Sequence, residues 1–146
     1  MVAQDRWLVM DPATPIEDSA HEVTELGHAA AIQADREPVE VLLRWGSKPL
    51  RLWTVIHDLN RLPTCRKQWI ATTLLNTLRE LSQRDIETVS MPCLGCSQGV
   101  IDAGQFLNLL VRAIHMAPIV HRLRLTLNCE RIDHDALCSV LQTIEF

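Results

Sequence analysis

The chain has 146 residues, with 14 basic against 18 acidic side chains, a formal charge of −4 and 47% hydrophobic content. This is enough chain for one domain with a real core, and the mild acidity argues against a DNA, RNA or anionic-membrane surface, which would need clustered Lys and Arg. No apolar run reaches the roughly 18 residues that span a bilayer, the first residues carry Asp5 and lack the apolar stretch of a secretory leader, and five cysteines, mostly inside regular patterns, point to a reduced, cytoplasmic protein.

In chain order, residues 6–10 (RWLVM) form the first strand candidate, ended by Asp11 and Pro12. Residues 12–18 hold two prolines and read as a loop. Ser19 and Glu22 have capping-box spacing and open a helix whose apolar face carries Val23, Leu26, Ala30 and Ala34. Residues 39–45 (VEVLLRW) and 50–57 (LRLWTVIH) alternate around Gly46, Ser47, Lys48 and Pro49, the pattern of a hairpin with a longer loop. Pro63 and Thr64 start a helix with Ile70, Leu74, Leu78 and Leu81 on one stripe. The small basic cluster Arg61, Arg66 and Lys67 reads as its solvated start.

Residues 86–91 predict a further strand. A helix over 102–116 follows, with Phe106, Leu107, Leu110, Val111 and Ile114 inward, and residues 121–128 alternate as a strand through Leu123, Leu125 and Leu127. Asp133 caps a last helix carrying Leu137, Val140, Leu141 and Ile144. Strands alternating with helices predict a single α/β domain over 1–146, a three-layer α/β/α sandwich with a mixed, mostly parallel sheet.

The segment joining strand 86–91 to helix 102–116 carries the most chemistry. A strand that feeds a glycine-bearing loop and then a helix N-terminus gathers free N–H groups and a positive dipole end, which suits an anionic ligand. Asp102 is the expected N-cap and takes the helix donors for itself. An anion therefore depends on Leu94, Gly95, Cys96, Ser97, Gln98 and Gly99. Asn128, at the carboxyl end of the last strand, borders the same crevice, the edge at which open α/β sheets bind ligands.

Three pieces of sequence resemble the macro domain family of ADP-ribose-binding modules. The hairpin ends in Val55, Ile56 and His57, like the family's second paired strand. The helix after Thr64 occupies the expected next position. Residues 88–100 (TVSMPCLGCSQGV) resemble the family's strand and second phosphate loop, with Pro92, Gly95 and Gly99 in place. The likeness covers residues 38–145, and the amino-terminal domain of leucyl aminopeptidases has a related architecture.

Departures from the family pattern are as informative. The Gly-Asp-Ile-Thr-like opening, whose aspartate recognises adenine, is absent. Where an Asn-Ala-Ala-Asn stretch is expected the chain reads Met10, Asp11, Pro12, Ala13 and Thr14. Pro15, Glu17 and Asp18 stand near the position of the glycine-rich first phosphate loop, and Cys96 where the second loop usually has a glycine. Proline supplies no N–H donor, and two unit charges about 6 Å apart at an effective dielectric of about 20 repel by roughly 2–3 kcal/mol. The resemblance thus implies a non-catalytic module for a nucleotide-like or small anionic ligand, with weakened or lost ADP-ribose binding. An assembly domain that has lost the pocket and contacts a protein partner is the alternative, and an ADP-ribosyl hydrolase a further one. No cofactor, resident metal or catalytic residue is expected.

The remaining chemical residues have ordinary readings. Cys93 and Cys96 have C-x-x-C spacing, which permits redox or zinc chemistry, yet no second pair exists and packing in a tight loop explains them. Cys129 follows a strand end near that loop, while Cys138 sits within the predicted last helix. His57 ends an apolar strand and His115 a helix, where its positive form suits the dipole. Trp45 and Trp53 lie on the two hairpin arms and predict a cross-strand pair.

Overall fold

The computed structural model describes residues 1–5, 36–44, 50–58, 60–97, 99–117 and 123–129. Within these, the elements run β1 (Val2–Asp5), β2 (Val41–Arg44), β3 (Arg51–His57), α1 (Lys67–Gln83), β4 (Thr88–Pro92), α2 (Ala103–Met116) and β5 (Arg124–Asn128). The fold is α/β. The helices predicted from Ser19 and from Asp133 lie outside the described residues, as does the strand predicted over 6–10.

β3 pairs in parallel with β1, Val2 opposite Trp53, and antiparallel with β2, Val41 opposite Thr54. β4 and β5 form a second, parallel ladder with Thr88 opposite Arg124 and Pro92 opposite Asn128. The Met1 amino nitrogen donates to the Ser90 carbonyl and sets β1 beside β4. The pairings are thus mixed and mostly parallel, as expected, and β4, α2 and β5 make a βαβ unit.

Burial along β3 explains why it can be so apolar. Leu52 and Ile56 join the main core cluster with Ile70, Leu74 and Leu78 of α1 and Phe106, Leu107 and Leu110 of α2. Trp53, Val55 and His57 alternate to the opposite face and are buried there too. A strand buried on both faces belongs to a sheet covered on both sides. β4 and β5 instead alternate: Val89 and Met91 are buried, whereas Thr88, Ser90, Thr126 and Asn128 are exposed.

Several boundaries differ from the sequence expectation for physical reasons. The first hairpin arm starts at Val41, because Pro38 and Val39 form a turn in which Val39 adopts φ 77 and the Glu40 N–H donates to the Glu37 carbonyl at 3.3 Å. The cross-strand neighbour of Trp53 is Leu42, and Trp45 lies outside the described residues. α1 starts at Lys67, since Cys65 bridges back to His57 and the Asp58 N–H donates to the Thr64 carbonyl at 2.8 Å. The predicted stripe on α1 is buried as expected, joined by Thr73 and Thr77. On α2, Val111 and Ile114 are half-buried, and Ala103 and Ala113 complete the inner face.

Candidate functional site

The chain leaves β4 at Pro92 and reaches α2 at Ala103 through two consecutive β-turns that share Cys96. In the first, the Cys96 N–H donates to the Cys93 carbonyl at 3.2 Å, with Gly95 at φ 79 in the third position. That φ makes it a type II turn, which requires a glycine-like residue there. In the second, the Gly99 N–H donates to the Cys96 carbonyl at 2.9 Å, and Gly99 adopts φ 66. The Gly95 carbonyl then accepts from Val100 at 3.0 Å and from Ile101 at 3.4 Å. These bonds fold the loop back under itself.

The same bonds determine which donors are left over. A β-turn consumes the N–H of its fourth residue and leaves those of its two central residues pointing away. The described residues accordingly provide no acceptor for the N–H groups of Leu94, Gly95 and Ser97. Gln98 lies outside the described residues. Successive N–H groups turned outward from a glycine-bearing loop are the elementary anion-binding concavity.

Packing fixes the loop from beneath. Leu94 is 1% exposed and Gly95 is buried. A Cβ on Gly95 would lie 2.4 Å from Ile70 Cδ1, so any side chain there must displace the end of Ile70 in addition to bearing the positive φ. Gly99 has nothing within 4 Å of its would-be Cβ, so its requirement is conformational alone. The rim of the loop therefore stays open while its base is held.

The α2 N-terminus contributes little to an anion. Asp102 Oδ1 accepts from the Gln105 N–H at 2.7 Å, and the Asp102 N–H donates to Gln105 Oε1 at 3.3 Å. This reciprocal capping box engages the Asp102 and Gln105 N–H groups and places a carboxylate at the positive end of the dipole, which disfavours an anion there. The expectation that Asp102 caps its helix is met.

Asn128 belongs to the site through its main chain. Its carbonyl accepts from the Cys93 N–H at 3.3 Å, which ties β5 to the start of the loop. Its side chain turns elsewhere: Oδ1 accepts from Ser90 Oγ at 3.3 Å. Ser90 and Asn128 line a cavity of about 460 Å³ with Met1, Arg51, Leu52, Ile86 and Val89, and none of the described loop residues 94–97 and 99 lines it. Sequence reasoning missed this cavity, since Met1, Leu43, Leu52, Leu81, Val89 and Asn128 come to it from distant parts of the chain rather than from any local motif.

Other residues with chemical potential have structural duties. The basic cluster disperses: Arg61 Nε pairs with the buried Asp58 carboxylate at 2.9 Å, and the Arg66 guanidinium lies 5.2 Å from the Trp69 ring centroid. His57 is buried where Cys65 bridges to it. Burial pushes the Cys65 thiol above its ordinary range, partly opposed by a hydrogen bond from the Arg66 backbone. Among the described residues no group of three His, Cys, Asp or Glu side chains is placed to hold a metal ion, and no helix is long and apolar enough to cross a membrane.

No protein-family model matches the sequence, and no curated protein matches it. Solved structures do. A glycine-to-valine mutant of the Oceanobacillus iheyensis macrodomain, solved with ADPR, superposes with a TM-score of 0.65 at 14% identity, covering 97% of this chain and 84% of that one. The same macrodomain with MES gives 0.63 at 13% identity, over 97% and 82% of the two chains. With ADP it gives 0.58 at 15% identity, over 84% and 70%. At these identities the likeness establishes the fold alone: the chain has the fold of these macrodomain structures.

Proposed function

We propose that this macrodomain fold, acting as one unit over residues 1–146, binds the phosphate groups of a nucleotide-like ligand through the loop 94–99. The observation that carries the reading is the pair of linked β-turns, which leave the N–H groups of Leu94, Gly95 and Ser97 without an acceptor among the described residues. Cys96 and Gly99 belong to the same two turns, Gln98 lies between them in the sequence, and the Asn128 main chain anchors the base of the loop. The macrodomain structures with ADPR and ADP make diphosphate-bearing adenosine ligands the first candidates.

Binding of ADP-ribose itself is weakened in this reading. In the sequence, Asp11, Pro12, Pro15, Glu17 and Asp18 replace the asparagine-containing and glycine-rich stretches of the family pattern, and proline supplies no N–H donor. Each carboxylate beside the phosphates costs roughly tenfold in affinity. The chain is assigned ligand binding and no bond cleavage.

A thermal-shift panel of nucleotides, sugar phosphates and nucleotide sugars, followed by calorimetry, tests this. A ligand at one hundred times its dissociation constant adds roughly 2.7 kcal/mol of stability, which is visible as a raised melting temperature. The expected result is a shift with at least one diphosphate ligand, lost in Gly99→Val, and an ADP-ribose dissociation constant weaker than micromolar. A panel without any shift would overturn the binding reading. Micromolar or tighter ADP-ribose binding would overturn the weakening.

A further inference from the structure

Cys93 and Cys96 occupy the first and fourth positions of the type II turn, closed by the Cys96 N–H to Cys93 carbonyl bond at 3.2 Å. The ends of a β-turn lie less than about 7 Å apart at Cα, and a disulfide spans Cα separations of about 4.4–6.8 Å. No disulfide joins the described cysteines. Their accessibility is unequal: Cys93 is 7% exposed, whereas Cys96 is half-buried at the rim. Cys96 is the more accessible residue of the two. Cys129 stands beside them, one residue past the Asn128 carbonyl that accepts from the Cys93 N–H.

We infer that Cys93 and Cys96 are a dithiol modification site, closing to a disulfide that reshapes the loop's outward N–H groups. The oxidant is a low-molecular-weight disulfide such as glutathione disulfide. The Cys96 thiolate attacks one of its sulfurs, forming a mixed disulfide and releasing one glutathione thiolate. Cys93, as thiolate, then attacks Cys96 Sγ and releases the second glutathione. Two protein thiols are oxidised, one glutathione disulfide is reduced to two thiols, and the two protons end on the released glutathione. The resulting bond of about 2.05 Å draws Cys96 inward. Because Cys96 is shared by both turns, the Ser97 and Gly99 N–H groups move with it. The effect on ligand binding rests on the reading of loop 94–99 as the phosphate site, and there the oxidised form binds about tenfold more weakly.

The test incubates the full chain with reduced and oxidised glutathione at fixed ratios, maps the cross-links by peptide mass spectrometry and records ¹⁵N–¹H spectra of both forms. The expected result is a Cys93–Cys96 link that persists in Cys129→Ser and disappears in the conservative Cys96→Ser. The Ser97 and Gly99 amide signals move on oxidation and those of Thr88 and Ser90 stay. A Cys96–Cys129 link, a glutathione adduct on Cys96 that proceeds no further, or a Cys93–Cys96 link without movement of the Ser97 signal would each overturn the inference. Failure of the reduced chain to bind any diphosphate ligand would strike the binding reading alone, since the cross-link and the spectra are read without ligand.

Discussion

Two regions of this molecule compete as the place where a ligand would sit, and they differ in kind. The cavity beside Met1, Ile86 and Ser90 has a volume of about 460 Å³ and mostly apolar walls, with the hydroxyls of Thr88 and Ser90, the Asn128 amide and a single cationic side chain, Arg51, among its described lining. The loop after β4 instead offers main-chain N–H groups at Leu94, Gly95 and Ser97 with no acceptor among the described residues, on a base held by Ile70 and the Asn128 carbonyl. Volume alone does not select a phosphate. Donors that need no reorganisation do, because a phosphate that leaves water must recover its hydrogen bonds at once.

Substitutions can break or sharpen this contrast. The largest effect is expected from Gly95→Val, which puts a β-branched residue at φ 79 with its Cβ 2.4 Å from Ile70 Cδ1. Strain and overpacking together cost about 3 kcal/mol or more, readable as a lower urea midpoint, and ligand binding is lost with the turn. A variant of wild-type stability would show that the loop is not held as described. Next comes Asp102→Ala, which removes one half of the capping box and costs about 1 kcal/mol. Diphosphate affinity is retained or improved, since a carboxylate leaves the rim. A large loss of affinity would place the ligand on α2 instead.

Ser90→Ala probes the cavity. It deletes the 3.3 Å bond to Asn128 Oδ1, lowers stability by about 0.5–1 kcal/mol, and leaves diphosphate affinity unchanged by calorimetry. A substantial fall in affinity would make the cavity the ligand site. The smallest effect concerns pH. Burial raises the Cys65 thiol above its ordinary range, so the folded chain keeps that proton where the unfolded chain releases it. The stability this group contributes is complete below the ordinary thiol range and is lost as pH rises through it toward the raised value. Cys65→Ala should flatten the alkaline limb of a stability–pH curve, and an unchanged limb would assign it to other groups.

What could be read from sequence follows how local the cause is. The Asp102 and Gln105 pair, the stripe Ile70, Leu74, Leu78 and Leu81, and the alternation through Leu123, Leu125 and Leu127 are set by neighbours a turn or a strand pitch away. Their positions were legible for that reason. The start of α1 was not, because Pro63 and Thr64 carry ordinary helix-start signals that a long-range bridge from Cys65 to His57 overrides. β1 was not either: Val2–Asp5 includes Gln4 and Asp5, poor strand formers on their own, and it is pairing with the buried β3 that makes them a strand. In the site, Gly95 and Gly99 announced a loop. The division of its amides into used and unused required knowing that both turns pivot on Cys96.

The most direct measurement is a titration of the ¹⁵N-labelled chain with ADP, following each amide signal. The signals of Leu94, Gly95, Ser97 and Gly99 should move together with one saturation curve, while those of Thr88, Ser90 and Asn128 around the cavity stay near their starting positions. Movement centred on the cavity residues, with the loop signals still, would contradict the assignment of this protein's ligand site.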